Sequence, residues 1–322
     1  MANDYPTQCL QVLVVDGMSS DGTREIINEY VRRHPFMQLI DNPDRTVPHA
    51  LNLGIRHSRG EYIIRLDAHS AYPQDYFTKL IEWHQRLKAD NLGAVCTTAV
   101  LGKSNKAQAI KEVLSDPLGV GNSYFRTGSD RIREVDTVPF GCYRRKVFDR
   151  YGYFDERLIR NQDIELNKRI IEEGGKIYLV PDITCIYYAK DSLVALWKSS
   201  FANGLWNILT VYLTKKPAAL SFRHFVPLLF LLSLVLPVLF SIILRDSRWL
   251  VVPMLSLISY VTLMGWKSLK LARQGVSFYH LFVSFLVLHF SYGCGSFLGL
   301  FRLDCLLSKK KDGIVQAVSD KN

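Results

Sequence analysis

Two stretches without a charged residue, Phe225–Leu244 and Trp249–Trp266, limit what this chain can become. A helix rises 1.5 Å per residue, so about 20 residues cross a hydrocarbon core. One such run would also suit a buried helix of a soluble protein. Two runs separated only by Arg245–Arg248 suit a membrane hairpin better. Pro227, Pro237 and Pro253 are tolerable there, since neighbouring helices can satisfy the freed backbone groups. Basic residues flank the pair: Lys215, Lys216 and Arg223 before it, Lys267, Lys270 and Arg273 after it.

A third uncharged run, Tyr279–Phe301, carries Gly293, Gly295 and Gly299 in its second half, with His289 in the middle. Small residues of this kind suit close helix packing, and equally a re-entrant or broken helix. With the N-terminal part cytosolic, Lys267 to Arg273 return to the cytosol. A third full span would then put Lys309, Lys310 and Lys311 outside, against the positive-inside rule. The topology of this segment is left open. Met1–Cys9 has no apolar core, so insertion is expected to use the C-terminal helices.

A net charge of +10 is compatible with nucleic acid, an anionic membrane surface or phosphorylated substrates. The first part of the chain has no long Lys/Arg run interleaved with aromatics, which argues against nucleic acid; the flanking pattern argues for a membrane. Cys9, Cys96, Cys142, Cys185, Cys294 and Cys305 form no C-x-x-C pair and no zinc-type cluster, so each is expected to act as a small buried hydrophobe.

Up to about Arg223 short apolar runs alternate with polar helical segments. Gln11–Asp16, Met37–Asp41, Glu61–Asp67 and Gly93–Leu101 read as strands; Thr23–His34, Pro48–His57 and Pro73–Asp90 read as helices. This alternation predicts an α/β fold with a doubly wound sheet. In such sheets ligands sit beyond the carboxyl ends of strands, where Asp16 and Asp67 both fall.

Three constellations can carry chemistry. In Asp67-Ala68-His69, alternation along an extended segment puts the acid and the imidazole on one side, a pair suited to Mg²⁺ or Mn²⁺ bound to a diphosphate. An acid after a strand is also a common turn residue. Asp16–Thr23 (DGMSSDGT) reads as a tight turn leading to a helix, with Asp16 available to a nucleotide base or ribose. Asp163, in Asn161–Leu166 (NQDIEL), opens a helix, where the dipole favours a negative charge; a general base needs one, and so does ordinary helix capping.

Taken in order, VVDGMSSDGT, then NP-x-R with HALNLGIRHSRGEYIIRLDAHS, then PFGCYRRKVFDRYGYFDERLIRNQDIELNKRI resemble the family 2 glycosyltransferases of the GT-A fold. The likeness is to the membrane-anchored exopolysaccharide enzymes of succinoglycan type, and it covers nearly the whole chain. It implies a GT-A nucleotide-diphospho-sugar transferase, a Rossmann-like mixed sheet, followed by C-terminal transmembrane helices. By that resemblance Asp16, Asn52, Asp67 and Gly141 bind the nucleotide sugar, Asp67 and His69 hold the metal, Phe140-Gly141-Cys142 lies beneath the donor sugar or acceptor, and Asp163 is the catalytic base. The implied donor is a UDP-sugar and the implied acceptor a polyprenyl-diphosphate-linked saccharide. An inverting transfer needs one base and one metal.

The expected division is a transferase domain over 1–190, an amphipathic interfacial linker over 191–224, and a membrane domain over 225–322 with helices near 225–244, 249–266 and 279–301. The linker's face is Leu193, Leu196, Trp197, Phe201, Leu205 and Ile208; a helix packed on the sheet is the other reading of this stretch. The chain departs from the family in three places. About ten residues precede Val12, where the family has an apolar strand, a P-x-Y-N-E-type loop and a helix. Without that interior strand, open sheet edges are expected. Gln162 stands where the family has Glu. Lys198–Trp206 (KSSFANGLW) lacks the Arg of the Q-x-x-R-W motif of processive synthases, which points to addition of a single sugar. Two other readings stay open: a nucleotidyltransferase on a related fold, and an impaired or truncated form acting as a membrane scaffold.

Overall fold

A computed structural model of the chain describes residues 3–216 and 220–302. Cys305, Lys309, Lys310 and Lys311 lie outside the described residues. The chain forms two compact units. Among the described residues, one takes those up to Cys96 together with Gly128–Ile186; the other takes Thr97–Thr127 together with those from Tyr187 to Arg302.

The first elements in chain order are β1 (Val12–Asp16), α1 (Thr23–Arg33), β2 (Met37–Asp41), α2 (Val47–His57), β3 (Tyr62–Ile64), β4 (Ser70–Ala71), α3 (Tyr76–Leu87) and β5 (Asn91–Ala99). After them come α4 (Asn105–Ser115), α5 (Pro117–Val120), α6 (Tyr124–Thr127), β6 (Arg133–Glu134), β7 (Cys142–Arg144), α7 (Lys146–Tyr151), α8 (Gln162–Glu172) and β8 (Ile177–Tyr188). Four long helices follow: α9 (Leu193–Thr214), α10 (Val226–Leu244), α11 (Val251–Ala272) and α12 (Phe278–Leu300).

The mixed α/β class agrees with the sequence, but the strands form two sheets rather than one. β1 and β2 pair in parallel, with Val12 opposite Met37 and Asp16 opposite Asp41. The other sheet runs β3-β7-β5-β8-β4, with β6 on β8. β7, whose residues follow PFG and gave no strand signal of their own, enters antiparallel to both β3 and β5. The outer edges of β1 and β3 have no ladder partner among the described residues. Val12–Val15 and Tyr62–Ile64 are accordingly only half-buried, although apolar. A side chain ties the two sheets where no ladder does: the Gln11 amide donates to the His57 carbonyl (3.2 Å) and accepts from the Arg59 N–H (2.7 Å). Tyr76 and Leu80 of α3, Leu92 of β5, Leu166 and Ile170 of α8, and Ile177 and Leu179 of β8 are fully buried. Cys96, Cys142 and Cys185 are buried as expected, whereas Cys9 is exposed.

The second unit is helical. Val226–Leu244, Ser247–Ala272 and Phe278–Leu300 are each long and apolar enough to cross a membrane. α10 and α11 leave large apolar side chains exposed, Ile242, Ile243, Leu255 and Ile258 among them, which suits a surround of lipid. α12 differs: 44% of its apolar window is buried, against 11% and 6% in the other two, which makes it the central helix of this unit. It is also unbroken. Its glycines serve close approach instead, since a Cβ on Gly295 would lie 2.0 Å from the Phe201 carbonyl oxygen. The same holds from the other side, where a Cβ on Gly204 of α9 would lie 2.0 Å from the Tyr292 carbonyl oxygen. The Ser296 hydroxyl donates to the Gly204 carbonyl at 3.1 Å, and the Asn207 amide bonds the Tyr292 hydroxyl. From Gly204 to Thr210 every residue of α9 is buried, the polar Asn207 and Thr210 included.

Residues 97–127, which the sequence placed with the transferase domain, pack in this helical unit. Ala109, Ile110 and Val113 of α4 share a core with Leu196, Met264, Leu271, Leu281, Phe285 and Leu288. Polar ties fasten the segment: Lys267 to Asp116 (2.5 Å), His289 Nε2 to the Leu118 carbonyl (2.9 Å), and Arg223 to Asn122 (3.1 Å). The glycine contacts make a direct prediction. Gly295→Val overpacks the α9–α12 seam and lowers stability by about 1–3 kcal/mol, read as a fall in the thermal midpoint of the detergent-solubilised protein. Gly265→Val, where no atom lies within 4 Å of a new Cβ, leaves that midpoint nearly unchanged.

Candidate active site

β3 ends at Ile64, and Arg65, Leu66 and Asp67 follow it. The Arg65 N–H donates to the Gly141 carbonyl (3.1 Å), which pins this stretch to the strand carrying the PFGC segment. Residues 67–70 then form a turn closed by the Ser70 N–H on the Asp67 carbonyl (3.2 Å). Alternation along an extended segment therefore does not relate Asp67 to His69; they are the first and third residues of one tight turn. The Tyr72 hydroxyl accepts the Asp67 N–H at 2.9 Å. Burial pushes that phenol up to about 12, so it stays protonated. The Tyr72 ring meets Phe140 edge-on, with centroids 5.8 Å apart, and so joins the turn to the glycine loop.

That loop is tightly confined. A Cβ on Gly141 would lie 2.5 Å from Asn91 Oδ1 and 2.7 Å from the Tyr143 ring, so no side chain fits. Phe140 before it has φ +48°, a region that bulky residues avoid and that is found where surrounding structure imposes it. Asn91 donates to Asn167 (2.8 Å) and Asn167 to Thr137 (3.0 Å), a buried chain linking β5, α8 and the segment before β7.

α8 brings in the second carboxylate. Asn161, at φ +63°, turns the chain into the helix, and Asp163 sits in its first turn with its Oδ1 accepting the Ile164 N–H (2.9 Å). Arg65 joins the two acids. Its Nε and Nη2 lie 3.1 and 3.2 Å from the two oxygens of Asp67, and its Nη1 lies 4.0 Å from Asp163 Oδ2. Burial disfavours the guanidinium charge, but Asp163 and then Asp67 outweigh it and raise the Arg65 pKa above its usual value. Burial, and next the charge of Asp163, likewise hold the Tyr143 phenol above its ordinary range. Arg65 and Tyr143 were not singled out in the sequence. A charged residue inside the apolar run EYIIRLD, two positions before Asp67 and so on the same side of the strand, was the available signal.

The other predicted residues are engaged elsewhere. Asp16 closes β1 and is buried, accepting from the Ser19 hydroxyl (2.6 Å), the Ser19 N–H (2.9 Å) and Arg24 (2.8 Å), while Arg24 also reaches Asp41 (2.7 Å). Asn52 is buried in α2: its carbonyl oxygen accepts the Phe154 N–H (3.0 Å), and its amide donates to the Phe154 carbonyl (2.9 Å) and to Glu156 (3.0 Å). A ligand accepting from the Asn52 amide would have to displace one of these bonds.

An oxygen and an imidazole on one turn are chemically suited to Mg²⁺ or Mn²⁺, and the Asp67 and His69 side chains both retain access to solvent. Among the described residues no group of three or more His, Cys, Asp or Glu gathers to hold an ion. The pair therefore fits a cation that arrives with oxygens of its own, as on a diphosphate.

The Asp16 latch carries a pH signature. The Ser19 hydroxyl foremost, then its N–H and Arg24, hold the carboxyl below its ordinary 3.8, against the opposing effect of burial. The resulting stability is fully present above 3.8 and is lost as pH falls through the lower folded value. Asp16→Asn should cost about 1–3 kcal/mol near neutral pH. In denaturant titrations the gap to the parent protein should close at acid pH.

The family model described as glycosyl transferase family 2 matches residues 2–152. A dolichyl N-acetyl-α-D-glucosaminyl phosphate 3-β-D-2,3-diacetamido-2,3-dideoxy-β-D-glucuronosyltransferase of Methanococcus voltae is 30% identical over 62% of this chain and 64% of its own length. The chain thus spans just under two thirds of that relative. The succinoglycan biosynthesis protein ExoA of Rhizobium meliloti (strain 1021) is 30% identical over 75% of this chain and 71% of its own. Among solved structures, S. aureus TarS 1–349 in complex with UDP aligns with a TM-score of 0.46 at 16% identity, over 92% of this chain and 83% of its own. On the extent and identity of the match to the succinoglycan protein, together with the family model, the chain belongs to glycosyltransferase family 2, and its first unit is the mixed α/β domain of GT-A type expected of that family.

Proposed function

We propose that the chain is an inverting glycosyltransferase that moves a hexose from a UDP-sugar to a lipid-linked acceptor, a polyprenyl-diphosphate saccharide, in exopolysaccharide or surface-glycan assembly. The observation that supports this most is the meeting of Asp67 and Asp163, from distant segments, at one guanidinium. Asp163 takes the proton of the acceptor hydroxyl as its oxygen bonds to the anomeric carbon and the bond from that carbon to the diphosphate oxygen breaks. Asp67 and His69 hold the diphosphate's Mg²⁺ or Mn²⁺. A divalent cation, when bound, offsets the charge that grows on the leaving diphosphate. The Gly141 loop leaves backbone rather than side chain beside the reacting groups. The clamps at Asp16 and Asn52 hold the β1–α1 turn and the 154–156 loop as walls for the nucleotide sugar.

The acceptor class is suggested by two things: the apolar helices in the same chain, and a relative whose name specifies a dolichyl-linked phosphate. With Lys267 and Lys270 in the last turns of α11 and Arg273 just after it, the positive-inside rule favours a multi-pass protein of the cytoplasmic membrane with its catalytic unit in the cytosol.

The test is transfer from a panel of UDP-hexoses to a polyprenyl-diphosphate saccharide by membranes containing the full chain. Asp163→Asn should lower kcat by about 10²–10⁴-fold while UDP affinity by calorimetry without added metal stays within about twofold of the parent. Undiminished transfer by that variant would remove Asp163 as the base. Chelation with EDTA should stop transfer, and added Mn²⁺ should restore it; restoration absent from Asp67→Ala and His69→Ala checks the metal assignment.

A further inference from the structure

Any cation that binds Asp67 must share that carboxylate with Arg65, whose Nε and Nη2 already engage both oxygens, at 3.1 and 3.2 Å. The guanidinium is not free to withdraw far. Its backbone N–H is fixed to the Gly141 carbonyl, and Gly141 is itself wedged against Asn91 and Tyr143. Its side chain is only 17% exposed. The third nitrogen, Nη1, stands 4.0 Å from Asp163 Oδ2, close enough to take up that carboxylate by a small rotation.

We propose that Arg65 is a positioning residue that serves as the resident counter-cation of the site. It binds Asp67, cedes that acid to a divalent cation arriving with a nucleoside diphosphate, and then pairs with Asp163. This rests on the assignment of Asp67 and Asp163 made above and adds an order of events. A bare divalent ion meets a guanidinium charge already on Asp67, and among the described residues no group of three or more His, Cys, Asp or Glu gathers there to outweigh it. The same ion on a diphosphate brings its own oxygens and the negative charge that balances Arg65. The protein is thereby selective for metal that comes with its nucleotide, and it couples arrival of the donor to a change at the second carboxylate.

Manganese binding by the purified full-length protein in detergent, followed by electron paramagnetic resonance with and without UDP, tests this without measuring transfer. The parent protein should bind Mn²⁺ at least about tenfold more tightly with UDP present. Arg65→Gln should bind Mn²⁺ alone at least about tenfold more tightly than the parent does, and UDP should then add little. Arg65→Lys keeps the charge but not the fork, and should retain weak binding of Mn²⁺ alone. A gain of metal affinity is a result that mere loss of structure does not produce. If Arg65→Gln binds Mn²⁺ alone no better than the parent, or Arg65→Lys gains as much as Arg65→Gln, the counter-cation role is overturned while the metal site stands. If Asp67→Asn leaves Mn²⁺ binding with UDP unchanged, the metal assignment itself falls, and this proposal with it.

Discussion

No side chain can be placed at residue 141, because its backbone is pressed between the Asn91 amide and the Tyr143 ring, and the geometry of the candidate site follows from that contact. The Gly141 carbonyl receives the Arg65 N–H, which fixes where the guanidinium begins. Asn91 continues through Asn167 to Thr137, which fixes α8 and thereby the carboxylate in its first turn. Two acids nearly a hundred residues apart are thus set against one cation by a single glycine just before a short antiparallel strand. Buried amide chains of this kind are costly unless each member finds a partner, and they impose one arrangement when they do.

The helical unit rests on a different kind of constraint. Its outer helices are apolar and sparsely packed, whereas α9 and α12 approach so closely that backbone atoms occupy the space of missing side chains. In a lipid surround apolar burial discriminates little between partners, and packing of small residues with interhelical hydrogen bonds takes over. The Ser296–Gly204 and Asn207–Tyr292 bonds fill that role. Ionic and carbonyl ties at Lys267 and His289 then hold the α4–α6 segment to the same unit.

What was legible in the sequence was what depends on local pattern. The uncharged runs give α10, α11 and α12 within a few residues, and DGT and QDIEL mark the starts of α1 and α8. The ordered motifs identify the family. What escaped was set by distant partners. β7 is three residues long with an unremarkable composition, and it becomes a strand because β3 and β5 offer it two ladders. His69 was placed by strand periodicity, but Tyr72 captures the Asp67 N–H and the chain turns. α9 reads as amphipathic from its Leu193–Ile208 apolar face, but Asn207 and Thr210 are buried too; their partners lie on its own backbone, on α12 and on the segment before α10.

The seam between α9 and α12 also has a temporal side. Gly204 emerges from the ribosome about ninety residues before Gly295, the residue of α12 that completes the same contact. At about 5–20 residues per second, α9 waits on the order of five to twenty seconds for its neighbour. During that interval Asn207 lacks the Tyr292 hydroxyl that it bonds in the finished unit. The last described helix is thus the one that lets an earlier one come to rest.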